Sequence, residues 1–297
     1  MSLKEVVDAA TDFFQDSEVP SPRLNAELLL MFVLGCDRSY LFAHPEQLLK
    51  PEEDARYREV VRERAGGCPT QYITGHQEFW GMDLIVSPAV LIPRPETEHI
   101  VETAMELAKS KLVERRASPP ACPERSRRVR IVDVGTGSGA IALALAKELP
   151  TAEIHATDIS PEALEVARAN AARHELTARI EFHQADLLDG FPPASFDIVV
   201  SNPPYVGESE EDSVQLEVRK FEPRNAAFAG PTGLEVIERL IPQAQTVLRP
   251  GGWLVFEISG TIAEAVRRRL AGWTDVGLTS DLQGIARVAA ARKPSSS

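Results

Sequence analysis

Cysteine is scarce in this chain. The three present, Cys36, Cys68 and Cys122, are odd in number, far apart and form no CxxC pair. That argues against a disulfide scaffold and a zinc-finger framework, leaves no metal expected, and makes a reducing cytoplasm the expected compartment. Long apolar runs are missing too. No stretch approaches the roughly 18 residues of a membrane span, and the acids within MSLKEVVDAATDFF do not fit a secretory leader. Positive charge is in deficit: 32 Lys and Arg face 44 Asp and Glu, a net −12, with the acidity spread along the chain and no basic domain to offset it. Proteins that live on duplex DNA show a basic stripe, because phosphate neutralisation supplies their non-specific affinity. The balance counts against that role, although it does not forbid a local basic groove. No internal repeat is present.

What is there is length and pattern. The 297 residues fit one large or two medium domains, at roughly 100–200 residues each, with core enough to fold without staples. Residues 1–70 read as a small helical bundle. Val6, Val7, Ala10, Phe13 and Phe14 recur at helical spacing after a start at Ser2. A second helix opens at Ser21-Pro22 and stops at Gly35, and a third runs from Pro51 to about Ala65. Across 71–95 the composition turns to β-prone residues broken by Gly75 and Gly81, which predicts a hairpin linker that takes in Tyr72 and Ile73. Pro93-Arg94-Pro95-Glu96 then starts a helix with Ile100, Val101, Ala104, Leu107, Ala108 and Leu112 on one stripe. Residues 117–128 form a Pro/Arg-rich loop with the basic cluster RSRRVR, read as a solvated surface loop.

From Val129 strand and helix alternate. Strands are expected at 129–133, 153–157, 178–183, 196–201, 252–258, 273–278 and 285–291, and helices at 139–148, 161–174, 232–247 and 261–270. Near-continuous apolar strands separated by helices predict an α/β domain over 96–297, with a Rossmann-like, mainly parallel seven-stranded sheet. The short connection at 279–284 makes the last two strands an antiparallel hairpin at one edge.

The first of these strands runs into Asp133-Val134-Gly135-Thr136-Gly137-Ser138-Gly139-Ala140. Glycines there let backbone pass close under a ligand and leave helix N–H groups free for an anion. Gly135, Gly137 and Ala140 satisfy GxGxxG/A, so the loop alone leaves a dinucleotide site open. Asp158, after the second strand, is placed to accept from ribose hydroxyls, although an aspartate before Ser160-Pro161-Glu162 also suits a helix start. Asp186, after the third strand, could receive an adenine amino group with Leu187 packed on the ring.

Strand FDIVVS leads straight into Asn202-Pro203-Pro204-Tyr205. Two prolines cannot donate backbone hydrogen bonds, so the ladder stops and the chain stiffens. The Asn202 side chain and the Pro203 carbonyl become two acceptors at the sheet edge. Two acceptors suit a planar NH₂ group, whose lone pair they would turn toward an electrophile. Tyr205 could pack against that group.

GTGSGA, Asp158, Asp186 and NPPY together resemble class I S-adenosylmethionine-dependent N-methyltransferases acting on amides or exocyclic amines. Residues 66–98, GGCPTQYITGHQEFWGMDLIVSPAVLIPRPETE, are similar to the hairpin linker of the peptide chain release factor glutamine methyltransferases. Phe221-Glu222-Pro223-Arg224, Gly233-Leu234 and the closing DLQGIARVAAARK extend the likeness over nearly the whole chain. The most specific piece is Pro93-Arg94-Pro95-Glu96-Thr97-Glu98, where the related ribosomal-protein glutamine methyltransferases differ. This resemblance implies a class I methyltransferase domain after a helical bundle that docks the substrate. The cofactor would be S-adenosyl-L-methionine, converted to S-adenosyl-L-homocysteine, and the substrates class-1 release factors methylated on the GGQ glutamine. It assigns Gly135, Thr136, Gly137, Ser138, Gly139, Asp158, Asp186, Leu187 and Asn202 to the cofactor. Asn202, Pro203, Pro204 and Tyr205 fall to the substrate, with Asn202, Pro203 and Tyr205 as the catalytic set. A monomer is the default, and no nucleic-acid or membrane partner is expected. The competing readings are a ribosomal-protein glutamine methyltransferase and an adenine-N6 nucleic-acid methyltransferase acting on a flipped base. The acids Glu208, Glu210, Glu211 and Asp212, close after Tyr205, oppose the second, since they would repel a phosphate backbone. A Rossmann-type binding or redox protein has no use for NPPY, and no CxxCH haem motif is present.

Overall fold

In the computed structural model, which describes residues 1–117 and 128–295, the chain divides into two units. One is Met1–His76 with Gln215–Phe221, the other Gln77–Val214 with Glu222–Ser297. Residues 118–127 of the Pro/Arg-rich segment, with Cys122 and the start of RSRRVR, lie outside the described residues.

The first unit is helical. Ser2 caps α1 (Leu3–Asp16) in a reciprocal capping box with Glu5. α2 (Pro22–Leu34) begins on proline and ends at Gly35, which takes the left-handed conformation (φ 61°) that closes a helix without steric cost. α3 (Arg38–Ala43), unforeseen in the sequence, is short and capped by Asp37, whose Oδ1 accepts the Tyr40 N–H at 2.8 Å. α4 (Pro51–Ala65) follows. The apolar stripes meet in a core of Leu3, Val6, Phe14, Leu29, Leu30, Tyr57 and Val60. α5 (Thr70–Thr74) corrects the sequence reading: Tyr72 and Ile73 are helical, because Pro69 starts a turn that Gly75 (φ 78°) closes.

The predicted hairpin is therefore shorter: β1 (His76–Phe79) and β2 (Met82–Ile85). Trp80 and Gly81 both take positive φ at its tip, as a tight primed turn requires. α6 (Glu98–Ala117) buries Ile100, Val101, Ala104 and Ala108. Next come β3 (Arg130–Val134), α7 (Ala140–Glu148), β4 (Glu153–Asp158), α8 (Pro161–Arg173), β5 (Ile180–Gln184) and β6 (Phe196–Ser201). The short β7 (Val206–Gly207) stands outside the main sheet. α9 (Leu216–Phe221) belongs to the helical unit, not to the α/β domain where the sequence reading left it. There Glu217 pairs with Arg64, which is buried and also donates to Asn25 Oδ1 and the Cys68 carbonyl. α10 (Arg224–Ala227) leads into β8 (Phe228–Gly230), which pairs with β7. α11 (Glu235–Val247), β9 (Leu248–Glu257), α12 (Ala263–Arg269), β10 (Thr274–Ser280) and β11 (Ala286–Arg292) complete the chain.

The seven-stranded sheet runs β10-β11-β9-β6-β3-β4-β5. All neighbours are parallel except that β11 is antiparallel to both β9 and β10. The expected edge hairpin is present, with its second strand on the inside. Alternate strand residues feed two cores: Ile131, Ile154, Ile198 and Val255 on one face, Val132, Val199, Leu254 and Phe256 on the other. Burial on both faces is why these strands read as unbroken apolar runs. Among the described residues no helix is long and apolar enough to cross a membrane.

Candidate active site

Strand register lines up the motif residues. Val134 of β3 lies opposite Thr157 of β4 and Ser201 of β6, and Ser201 lies opposite Phe256 of β9. The residues one step further, Asp158, Gly135, Asn202 and Glu257, therefore leave the carboxyl edge of the sheet side by side. β3 and β6 are the adjacent strands from which the order runs in opposite directions, the switch point where open α/β sheets bind ligands.

A cavity of ≈ 320 Å³ opens there, within the range of small-molecule sites, about 300–1,000 Å³. Its walls include Gly135, Thr136, Gly137, Ser138, Asp158, Asp186, Leu187, Asn202 and Pro204. Gly139, Pro203 and Tyr205, expected at the site from the sequence, are not among its lining residues. Gly139 has a packing role instead: at φ +85° it opens α7, and a Cβ there would stand 2.5 Å from Leu143 Cδ1 and 3.3 Å from Ala167 Cβ. Gly135 (φ +69°) and Gly137 (φ +55°) differ, since a Cβ on either would meet nothing within 4 Å. Their backbone is bare toward the cavity.

The loop is held from beneath. Asp158 Oδ2 accepts the Gly137 N–H at 2.9 Å, and Oδ1 accepts the Ser160 N–H at 3.0 Å. Burial raises the Asp158 pKa against these bonds. Asp133, fully buried, accepts from Thr136 Oγ1 (2.7 Å) and the Ala142 N–H (3.2 Å) through Oδ2. Its Oδ1 has no hydrogen-bond partner among the described residues, and burial pushes its pKa up to about 7. Asp186 Oδ2 pairs with Arg239 at 2.5 Å, which leaves Oδ1 for a ligand. Leu187 sits at φ +54°, uncommon for a branched side chain, with its carbonyl held by Thr157 Oγ1 at 2.9 Å.

At the end of β6 the NPPY side chains engage a buried polar cluster. Asn202 Nδ2 donates to Thr97 Oγ1 (3.1 Å), and Thr97 Oγ1 donates to Glu257 Oε2 (2.7 Å). The Tyr205 hydroxyl donates to Glu257 Oε1 (3.0 Å). Burial raises the pKa of Glu257, and that of Tyr205 with the Glu257 charge beside it. Glu222 accepts the Ile92 N–H at 3.0 Å and pairs with Arg94, which ties the PRPETE turn to the segment before α10.

Such a site suits a nucleoside-bearing cofactor. Bare glycine backbone admits close approach, and the carboxylates of Asp158 and Asp186 keep lone pairs that match hydroxyls and an amine.

Family models match at two places: the PrmC N-terminal domain over residues 5–75 and the methyltransferase small domain over 121–220. The chain is 51% identical to the release factor glutamine methyltransferase of Koribacter versatilis over 297 residues, covering all of both chains. It is 42% identical to that of Chlorobaculum tepidum over 291 residues, covering 96% and 95%. This chain belongs to the release factor glutamine methyltransferase family. Among solved structures, the hMettl16 catalytic domain in complex with MAT2A 3′UTR hairpin 6 aligns with a TM-score of 0.52 and 18% identity, over 78% of this chain and 81% of that one; the likeness is one of fold.

In this member of the release factor glutamine methyltransferase family, several residues at or around the cavity had no site role assigned from sequence, although Thr97 and Glu222 lie in motifs that carry the family likeness. Thr97 and Arg239 line it, Glu257 accepts from Thr97, and Glu222 holds the Ile92 N–H and Arg94 in the segment leading to Thr97. Glu257 had a visible signal, an acid inside the apolar run WLVFEI, because a buried carboxylate is tolerated only where donors meet it. Arg239 had none. Of the acids after NPPY, Glu211 is paired with Arg224 through both oxygens (2.7 and 2.9 Å), so the charge near the motif is less uniform than the sequence suggests. One group elsewhere among the described residues, His155, Glu181 and His183, brings three potential metal ligands within 4.8 Å. Arg130 Nη2 lies 3.2 Å from His155 Nε2 and can only donate, so the neutral ring carries its proton on Nδ1, toward His183 Nε2 at 3.1 Å. A metal on Nδ1 would need the opposite tautomer.

Proposed function

We propose that this protein transfers a methyl group from S-adenosyl-L-methionine to the side-chain amide nitrogen (N5) of the glutamine in the GGQ motif of class-1 peptide chain release factors, leaving S-adenosyl-L-homocysteine. The observation that carries the reading is the adjacency of Gly135 and Asn202, set by the pairing of Val134 with Ser201, in a chain of this family. Cofactor loop and amide-binding turn then share one cavity.

S-adenosyl-L-methionine supplies an electrophilic sulfonium methyl when bound. The remaining work falls to the chain. Gly135–Ser138 hold the methionine part, Asp158 the ribose, and Asp186 with Leu187 the adenine. An amide nitrogen is a poor nucleophile because its lone pair is shared with the carbonyl. Asn202 Oδ1 and the Pro203 carbonyl each accept one N–H of the glutamine amide, turn the lone pair outward and stabilise positive charge growing on nitrogen. No general base is required, since the nitrogen becomes acidic as it is alkylated. Pro204 walls the pocket, while Tyr205 supports the turn through Glu257. The helical unit docks the release factor, for a single side chain offers too little surface for specificity. The protein works in the cytoplasm as a monomer, without nucleic acid.

The test is methyl transfer from labelled cofactor, with release factor, the same factor with its GGQ glutamine replaced, ribosomal protein and DNA offered side by side. Label is expected only in the intact release factor. Label in DNA, or in the glutamine-replaced factor, would refute the reading. Asn202→Ala should keep S-adenosyl-L-homocysteine binding and lose transfer by about 10²–10³-fold, the usual cost of removing one oriented transition-state partner.

A further inference from the structure

A side-chain amide can face its substrate in two ways, and only one of them makes Asn202 useful. With Oδ1 toward the cavity it accepts an N–H of the glutamine amide; rotated by half a turn it would set its own NH₂ against the substrate's NH₂, donor against donor. Nothing in Asn202 itself chooses between the two, since the two ends are nearly equal in size and shape.

The choice is made behind it. Thr97 Oγ1 carries one hydrogen, and that hydrogen goes to Glu257 Oε2 at 2.7 Å. Toward Asn202, 3.1 Å away, the hydroxyl can therefore only accept. Asn202 must turn Nδ2 to Thr97, which leaves Oδ1 for the cavity. Both Glu257 oxygens face hydroxyl donors, Oε2 the Thr97 hydroxyl and Oε1 the Tyr205 hydroxyl at 3.0 Å, and these two bonds favour the ionised, accepting carboxylate against the burial that raises its pKa. All of this is shielded: Thr97 is 3% and Glu257 2% exposed, so water does not compete for the hydroxyl. Thr97 lies at the end of Pro95–Thr97, the turn that the Arg94–Glu222 ion pair fastens down.

We infer that Thr97, oriented by Glu257, is the positioning residue that sets the orientation of the Asn202 amide and so makes it an acceptor for the substrate amide. Resting on the function proposed above, this gives the PRPETE segment a chemical task in addition to starting a helix. Thr97 does not touch the reacting atoms; it acts through Asn202.

Two substitutions separate orientation from packing. Thr97→Val keeps the volume and loses the hydroxyl, whereas Thr97→Ser keeps the hydroxyl and loses a methyl. If the hydroxyl orients Asn202, Thr97→Val should lower kcat by roughly tenfold to a hundredfold, as small misplacements of a reacting group do. Thr97→Ser should stay close to wild type. A packing role predicts the reverse order. Both variants should bind S-adenosyl-L-homocysteine as wild type does, by calorimetry, which also shows that they are folded. Binding of release factor to the enzyme loaded with S-adenosyl-L-homocysteine should weaken in Thr97→Val alone. Full activity of Thr97→Val, an equal loss in Thr97→Ser, or loss of S-adenosyl-L-homocysteine binding in Thr97→Val would each overturn the inference. A wild-type enzyme that leaves release factor unmethylated would instead refute the function itself.

Discussion

Asp158 accepts the Gly137 N–H with one carboxylate oxygen and the Ser160 N–H with the other. Each oxygen keeps a further lone pair, so one side chain both braces the glycine loop and lines the cavity, where the proposed function has it meet the ribose hydroxyls. A hydrogen bond to a charged acceptor contributes about 1.5–3 kcal/mol. Asp158→Asn is therefore expected to weaken S-adenosyl-L-homocysteine binding about ten- to a hundredfold, read by calorimetry. Because burial raises the Asp158 pKa, wild-type affinity should begin to fall on acidification at a higher pH than an ordinary aspartate would give. A flat pH profile down to the ordinary aspartate range would contradict this. Asp133 bears on stability. Its folded pKa is raised to about 7 from the ordinary 3.8, so the folded state holds the proton more tightly than the unfolded chain. The stability that this contributes is complete below about pH 4 and is lost as pH rises through about 7. Against an Asp133→Asn variant, which cannot ionise, the wild type should lose ground in urea unfolding as pH is raised across that window. A constant difference between the two would mean that Asp133 titrates normally.

At the scale of elements, two glycines four residues apart in the same loop serve different ends. Gly135 leaves β3 toward the cavity, while Gly139 opens α7 against Leu143 and Ala167. Gly139→Ala pays for both a positive φ and a close contact, and is expected to lower stability by about 1–3 kcal/mol. Gly135→Ala meets no neighbour within 4 Å, so φ strain is its one structural cost, and in the proposed function its methyl would stand against the cofactor. Thermal melts with and without S-adenosyl-L-homocysteine would tell them apart: a lower melting temperature without ligand for Gly139→Ala, and a diminished ligand-induced rise for Gly135→Ala. The sequence pattern GTGSGA is legible as a strand-to-helix loop, but it does not say which glycine faces the ligand. The same limit shows at the hairpin. Tyr72 and Ile73 are β-prone by type, yet Pro69 and Gly75 bracket them into one helical turn, since local backbone punctuation outweighs weak strand propensity.

Across the whole molecule, the cavity and the helical core lie in different units. Glu217, far along the chain, belongs with the helices and pairs with the buried Arg64. Among the described residues, Glu217→Ala leaves that guanidinium its bonds to the Asn25 and Cys68 oxygens, at a cost of about 1–3 kcal/mol. The expected result in calorimetry is earlier unfolding of the helical unit, with S-adenosyl-L-homocysteine still stabilising the other. Equal loss of ligand binding would show that the two units do not unfold separately. The net charge of −12 is a property at this scale as well. It disfavours a phosphate backbone as partner, but the pairing of Glu211 with Arg224 shows that a string of acids in sequence is not a uniform field in space.

The sequence by itself determined the alternation of strand and helix, the glycine loop, the NPPY turn and the likeness to one family, because periodicity, prolines and glycines act over a few residues. Only the tertiary structure decided which of those residues meet. Pairing of Val134 with Thr157 and Ser201, and of Ser201 with Phe256, carries Asp158, Gly135, Asn202 and Glu257 to one edge, and a turn more than a hundred residues before NPPY brings Thr97 between Asn202 and Glu257. Strand register and the hydrogen-bond partners of a buried hydroxyl are set by packing between distant segments, and no local pattern encodes them.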